Sequence, residues 1–466
     1  MLAHEQPLPS GVVQRRASGA GGRHRIRPKN FWDALRDGLA QPGGMFGVFV
    51  SLTGSQLVSS MLGLVFWTVA ARSMTAKELG FGAALVAVMA VSSIIGSLGI
   101  STLLLERLKL VSVGDQRALL STGLTVAGIG GAVVAACWLG LLALLNVPGA
   151  LGEVSFNDAL LLVATTGLAT RCSIFDYAAI GLGASNVQLR RNLVAAVLRI
   201  AVLFGAIGLG IRSGQVFLVS WAVACVGSLI ASPLRRYLPP RHPITLGHRL
   251  RLMRSQWSAA TGHHGLNLAM ASSGLLLPVV AGSIMPAAPL AYFTQARLLA
   301  DTILAPPFLL SVALFAAAGD AEGFRQKAPR TIVVGFALAL SAIVGTALIG
   351  PFVLLLFGAS YAQHSLPLLL VLVAAGPALV VKDQFFMLRR LQGKRRQGAL
   401  AAGLWSAAEL AGALVGGWMA GMTMLCIGWS AMSSVCALIA LPLLIRAIRR
   451  PRAKPKISCA GRRWTT

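Results

Sequence analysis

The chain is built of about a dozen long apolar runs, each unbroken for some twenty residues or more and separated from the next by a short polar or basic break. No other feature limits folding as strongly. A run of that length crosses a hydrocarbon core of about 30 Å as a helix rising 1.5 Å per residue. A soluble fold would space its apolar residues periodically, and surface-to-volume scaling would leave too little interior to hide them. With 56% apolar and only 12% charged residues over 466 positions, lipid is the solvent for most of this chain. The expected spans are 45–71, 80–104, 118–146, 157–183, 192–211, 214–233, 256–282, 290–317, 331–357, 365–388, 398–421 and 422–445.

The breaks alternate in charge. With the N-terminus placed in the cytoplasm, 34 of the 41 Lys and Arg residues fall on that side, and only Arg72, Lys77 and Arg212 on the other. Basic loops stay cytoplasmic, so this asymmetry predicts cytoplasmic termini and an even number of spans. It also accounts for the net charge of +27. There is no zinc-finger spacing, no aromatic-interleaved basic stripe and no soluble basic domain, so no nucleic-acid partner is expected. The six cysteines show no CxxC pairing and five lie in apolar runs, which indicates neither a disulfide framework nor a metal site.

Residues 1–44 are polar and basic and lack an apolar h-region, so they read as a disordered cytoplasmic tail able to lie against anionic headgroups. Residues 447–466 form a second basic tail. The basic stretch 234–255, with Pro239, Pro240 and Pro243, separates 45–233 from 256–446, leaving six spans on either side. A weak likeness links the halves: SSMLGLVFWTVAARSM from Ser59 and SSGLLLPVVAGSIMPA from Ser272. Repeats with an even number of spans are parallel, related by an axis along the membrane normal. The expected architecture is an all-α membrane protein of about twelve helices in two six-helix lobes facing a central cavity. Gly412 with Gly416 and Gly417 with Gly421 would let helices approach closely, although glycine is common in membrane helices generally.

Three stretches now carry a resemblance. AARSMTAKELGFGAAL, from Ala70 to Leu85, places Arg72 at the end of one span and Glu78 and Gly80 at the opening of the next. GSLGISTLLLERL is a Gly-rich exit into a basic loop, and LLLFGASYAQHSLPLLLVL contains Phe357, Gly358 and Tyr361 in a Phe-Gly-x-x-Tyr turn. Over 45–446 the chain resembles the multidrug/oligosaccharidyl-lipid/polysaccharide (MOP) exporter superfamily, in particular its polysaccharide or O-antigen flippase branch. The resemblance implies an alternating-access carrier in a bacterial inner membrane. It implies a lipid-linked oligosaccharide as substrate, carried on undecaprenyl pyrophosphate or a similar lipid. It also implies glycosyltransferases or a polymerase of a polysaccharide pathway as neighbours. No cofactor is expected, and no loop is long enough to fold as a catalytic domain, so the chain does not read as an enzyme.

Charges within spans cost about 2.5–3.5 kcal/mol each on insertion scales and need a reason. Arg171 sits near the midplane of the fourth span, with Asp176 about 8 Å nearer the cytoplasm and on another face. A guanidinium there could make paired bonds to a pyrophosphate, and an ion pair with an acid on another helix would explain it equally well. Arg297 and Asp301 are four apart on one face of the eighth span, and Pro306 and Pro307 predict a kink just beyond. The resembled flippases line their cavity with cations, and Arg297 is the position that likeness carries over. A self-satisfied pair bracing the helix is the competing reading. Lys382 and Asp383 lie within snorkelling range of the cytoplasmic end of the tenth span. Glu409 has no obvious partner, and cation coupling through Asp176, Asp301 or Glu409 is left open. Other functions fit less well. A drug or organic-cation antiporter calls for an acid in the first span of a lobe, and spans one and seven have none. A lipid II flippase of the family has arginines within its first two spans, where this chain has none before Arg72. A scaffold of a polysaccharide synthase complex would leave the buried charges inert.

Overall fold

In a bilayer a helix satisfies its own backbone, and a sequence of long apolar runs has little else to form. The computed structural model describes residues 45–232, 245–318 and 321–449, and every element assigned there is helical. α1 (Met45–Ser73) leads to α2 (Ala76–Gly96), whose first turn is capped by the Thr75 hydroxyl accepting from the Glu78 N–H. A break at Leu98 and Gly99, with φ of 51° and 78°, hands the chain to the short α3 (Ile100–Arg107). α4 (Val113–Leu144) and a 3-10 turn at Ala150–Glu153 come next. α5 (Phe156–Gly181) opens with a capping box between Ser155 and Asp158. α6 (Ser185–Gly208) and α7 (Gln215–Ala231) complete the first half.

The second half runs through α8 (Leu246–Ile284), α9 (Ala287–Ile303), α10 (Ala305–Ala318), α11 (Ala321–Leu355), α12 (Ala359–Ala374), α13 (Gly376–Leu391) and α14 (Arg395–Arg449). α9 and α10 form one pass bent by 41°. Pro306 and Pro307 follow the bend directly: neither can donate to the carbonyl four residues back, and their rings crowd it. α14 is two helices joined at Ala420 (φ −153°) and Gly421 (φ 75°), so the last two expected spans form a tight hairpin. Its arms touch through glycine: a Cβ at Gly412 would meet the Gly428 carbonyl, and one at Gly416 the Met424 carbonyl.

Seven described helices are long and apolar enough to cross a membrane, eight when the bent α9–α10 pair is included. α1, the shorter α7, the apolar Leu268–Ile284 part of α8 and the second arm of α14 bring the passes to about twelve. Their outer surfaces are apolar. Along α11, Val333, Leu340, Val344, Leu348 and Phe352 form one exposed stripe at helical spacing, a face made for acyl chains. Because the passes alternate in direction, Arg107, Lys109, Arg190, Arg389, Arg390 and Lys394 share one end of the bundle, the basic end, while Arg72, Lys77 and Arg212 share the charge-poor end.

The expected tails, at 1–44 and 450–466, and the stretch 233–244 lie outside the described residues. One boundary moves, because from Leu246 onward the expected linker is already helical and continuous with α8. Its Met253 is buried among Ile100, Leu104 and Leu119 of the first half, so that end of the linker is docked rather than loose.

Candidate functional site

A cavity of about 400 Å³ lies among α8, α9, α10, α12, α13 and α14. Gly274, Arg297, Asp301, Lys382, Asp383 and Trp429 line it together with apolar residues such as Leu304 and Leu379. The bend after α9 opens it, because it carries Leu304–Leu309 away from the line of α9. Arg297 stands ten residues into α9, about 15 Å from the charge-poor end at the helical rise. Its Nε donates to Asp301 Oδ1 at 2.8 Å, its Nη2 reaches the Gly274 carbonyl at 3.5 Å, and the guanidinium lies 5.7 Å from the Trp429 ring centre. Trp429 is held in turn by its Nε1 donating to Ser273 Oγ at 2.9 Å. The Nη1 of Arg297 is buried without a hydrogen-bond partner among the described residues. The Arg297 side chain is 16% exposed and Asp301 61%, so the pair is not closed on itself: the carboxylate is wetted, while the guanidinium keeps unused donors.

Lys382 was expected to snorkel toward the cytoplasmic end of its span and Glu409 to lack a partner. Instead, Lys382 Nζ donates to Glu409 Oε2 at 2.8 Å in a site where the side chains are 9% and 0% exposed. Glu409 Oε1 accepts from Trp405 Nε1 at 2.9 Å and from Ser433 Oγ at 2.7 Å, so both carboxylate oxygens are engaged. α13 places Lys382 inward, and a fully buried acid on α14 holds it there more strongly than interfacial water could. Asp383 lines the cavity and makes no hydrogen bond or ion pair among the described residues. Sequence reasoning missed this cluster because Lys382 and Glu409 are 27 residues apart on different helices, with no local signal linking them.

In the first half, Asp176 pairs with Arg191 by two parallel bonds, Nε to Oδ1 at 2.6 Å and Nη2 to Oδ2 at 2.5 Å. Ser228 and Asn192 take further Arg191 donors. Arg191, counted among the loop cations in the sequence, is therefore a buried structural residue six positions inside α6. Arg171 is not brought to this pair. It is exposed, makes no hydrogen bond or ion pair among the described residues, and lies along the groove at Gly128 of α4. The structure thus joins Arg297 with Asp301 at one cavity, sets Glu409 behind Lys382 on the wall of the same cavity, and keeps Asp176 and Arg171 apart from it in the first half.

The residues of the family-like stretches fasten the charge-poor end. Arg72 donates from Nε to the Leu356 carbonyl at 2.8 Å and from Nη2 to the Leu355 carbonyl at 2.6 Å, capping the end of α11 from the other half. The Gly149 and Ala150 N–H groups donate to the Ser283 and Met285 carbonyls, both at 2.9 Å. A Cβ at Gly80 would overlap the Ala287 carbonyl, so α2 and α9 cross there backbone against backbone. Glu78 Oε2 accepts from the Gly214 N–H at 2.7 Å, tying α2 to the turn before α7.

No family model and no curated protein matches the sequence. Solved structures do match. A multidrug resistance MATE family transporter of the MOP superfamily, in its inward-facing conformation, superposes with a TM-score of 0.63 at 15% identity, over 85% of this chain and 98% of that one. The lipid II flippase MurJ, in an inward closed conformation, gives 0.61 at 12% identity over 86% of this chain and 89% of that one. This is the MOP transporter fold. A third MOP superfamily transporter, from Pyrococcus furiosus, matches with a TM-score of 0.54 at 15% identity over 86% of this chain and 95% of that one. At these identities the likeness is one of fold, and the chemistry has to be read from this chain's own residues. Within the MOP fold, the cavity around Arg297 lies in the second lobe and the Arg72 contacts close one end between the lobes.

Proposed function

We propose that the protein flips a lipid-linked oligosaccharide, carried on undecaprenyl pyrophosphate or a similar lipid, across a bacterial inner membrane by alternating access. The observation that carries this reading is the Arg297 guanidinium: it lines a membrane-embedded cavity in a MOP fold, and its Nη1 has no hydrogen-bond partner among the described residues. A diphosphate offers the acceptors such a fork lacks, in the geometry a guanidinium prefers. Arg171, exposed and without an anion among the described residues, is a second cation of the same kind. The lobes 45–233 and 256–446 rock against one another, the Arg297 cavity of the second lobe holds the diphosphate, the sugar crosses between the lobes, and the lipid tail stays in the bilayer. No covalent step is involved. The positive-inside rule puts the basic end and both termini in the cytoplasm, so the fastened charge-poor end is periplasmic. The substrate then enters from the side on which glycosyltransferases build it, and a polymerase receives it on the other.

Organic-cation antiport is the second reading, favoured by the Asp301 and Asp383 carboxylates on the wall of the same cavity. One set of variants separates the two. If Arg297 binds substrate, Arg297→Ala strands lipid-linked sugar on the cytoplasmic leaflet, and surface polysaccharide falls at least about tenfold, the loss of one charge-assisted bond. Arg297→Lys should keep part of the activity, and Arg297→Ala with Asp301→Ala should fold without recovering it. Full polysaccharide output from a normally expressed Arg297→Ala variant would rule the reading out. Drug sensitivity appearing with Asp383→Asn in its place would favour the antiporter.

A further inference from the structure

A second cavity, of about 290 Å³, lies in the first half between α1, α6 and α7. Its wall includes Phe66, Trp67, Asn192, Arg199 and Trp221, and among the described residues no Asp or Glu. Arg199 is nine residues from the end of α6, about 13 Å inside the charge-poor end at the helical rise. A guanidinium that near an interface would ordinarily snorkel outward. This one turns the other way, because its Nε donates to the Ala195 carbonyl at 3.3 Å, one turn back toward the basic end. The head therefore points into the membrane interior, 4.8 Å from the centre of the Trp221 ring. Trp221 is fixed by an edge-to-face contact with Phe66 at 5.2 Å, and Trp67 by stacking on Phe217 at 5.2 Å, so the aromatic wall is rigid.

A guanidinium has five N–H donors, and among the described residues only one of these is used. Of the other polar groups on the wall, Asn192 is turned to the Asp176–Arg191 pair, its Oδ1 accepting from Arg191 and its amide donating toward Asp176, and a tryptophan nitrogen can only donate. The carboxylate closest in sequence, Asp176, already holds Arg191 in a two-point pair. The cavity thus holds a cation with no anionic partner among the described residues, and an intramembrane cation of that kind calls for an anion from outside.

We propose that the cavity bounded by Arg199, Asn192 and Trp221 is an oxyanion-binding subsite that takes the phosphate of a polyprenyl or phospholipid headgroup, separate from the Arg297 cavity. As a substrate subsite it rests on the flippase reading; as a phospholipid site it stands without it. A cation site of the antiporter kind is incompatible with it, since the wall offers a cation no carboxylate.

The test uses the full-length protein in phosphatidylcholine nanodiscs, titrated separately with undecaprenyl pyrophosphate and with phosphatidylglycerol. The variants are Arg199→Gln, Arg199→Lys and Arg297→Gln, with thermal unfolding confirming that each is folded. Arg199→Gln should weaken one of the two anions about tenfold, and Arg199→Lys by less, because a point charge replaces a planar fork. Loss of undecaprenyl pyrophosphate binding alone assigns the site to the substrate, and loss of phosphatidylglycerol binding alone assigns it to a lipid headgroup. Should Arg199→Gln not fold, Trp221→Leu removes the ring beside the guanidinium, keeps the cation, and should cause a smaller loss of the same anion. Wild-type affinity for both anions in folded Arg199→Gln overturns the proposal. If undecaprenyl pyrophosphate then still depends on Arg297, only this subsite falls. If the wild type binds no undecaprenyl pyrophosphate while phosphatidylglycerol depends on Arg199, the subsite stands and the flippase reading falls.

Discussion

An ammonium and a carboxylate held 2.8 Å apart where neither meets water stabilise one another against the cost of leaving water, and removing one strands the other. Lys382→Met or Glu409→Ala alone should therefore lower stability by about 3–5 kcal/mol, whereas Lys382→Met with Glu409→Leu should recover most of the loss. Thermal unfolding of the three purified variants checks this, and single variants that melt like the wild type would show the pair to be of little weight. The pairs differ in how far the sequence revealed them. Arg297 with Asp301 could be read directly, because a spacing of four puts two side chains on one helical face. Asp176 with Arg191 and Lys382 with Glu409 could not. Each links different helices, and which faces meet is decided by packing that one sequence does not display.

At the level of helices, runs of apolar residues announced the passes, and Pro306 and Pro307 signalled the bend found between α9 and α10. The hairpin inside α14 was expected from dividing that run into 398–421 and 422–445, but Gly421, read as a residue for close helix approach, is instead its positive-φ turn. The docking of Met253 was not legible, since a basic stretch with prolines upstream reads as a linker whether or not its end is helical. Arg72 was visible as a motif residue, but its partners are main-chain carbonyls more than 280 residues away, which no side-chain pattern marks. Its two bonds hold the lobes together at the charge-poor end. Arg72→Ala should therefore shift the protein toward opening there, by about tenfold if one charge-assisted bond's worth is lost. A cysteine placed at Ala287, buried in the wild type, would report this through its rate of reaction with a membrane-impermeant maleimide. An unchanged rate in the Arg72→Ala background would mean the contact does not hold the end closed.

For the whole molecule, the all-helical fold in two lobes was legible because lipid leaves a chain so few options, whereas the substrate was not, because the MOP fold serves several cargoes. The cations of this chain stand where the mechanism needs them: Arg297 lines one cavity with a buried donor that has no partner among the described residues, Arg171 is exposed with no anion among them, and Arg72 joins the two halves at the charge-poor end. The most direct measurement is flipping in proteoliposomes loaded with undecaprenyl-pyrophosphate oligosaccharide, scoring the fraction of sugar that an added glycosidase can reach over time. The wild type should expose sugar from the inner leaflet well above protein-free vesicles, and folded Arg297→Ala should fall at least about tenfold in rate. Wild-type vesicles no faster than protein-free ones, or an Arg297→Ala rate equal to the wild type, would contradict the account.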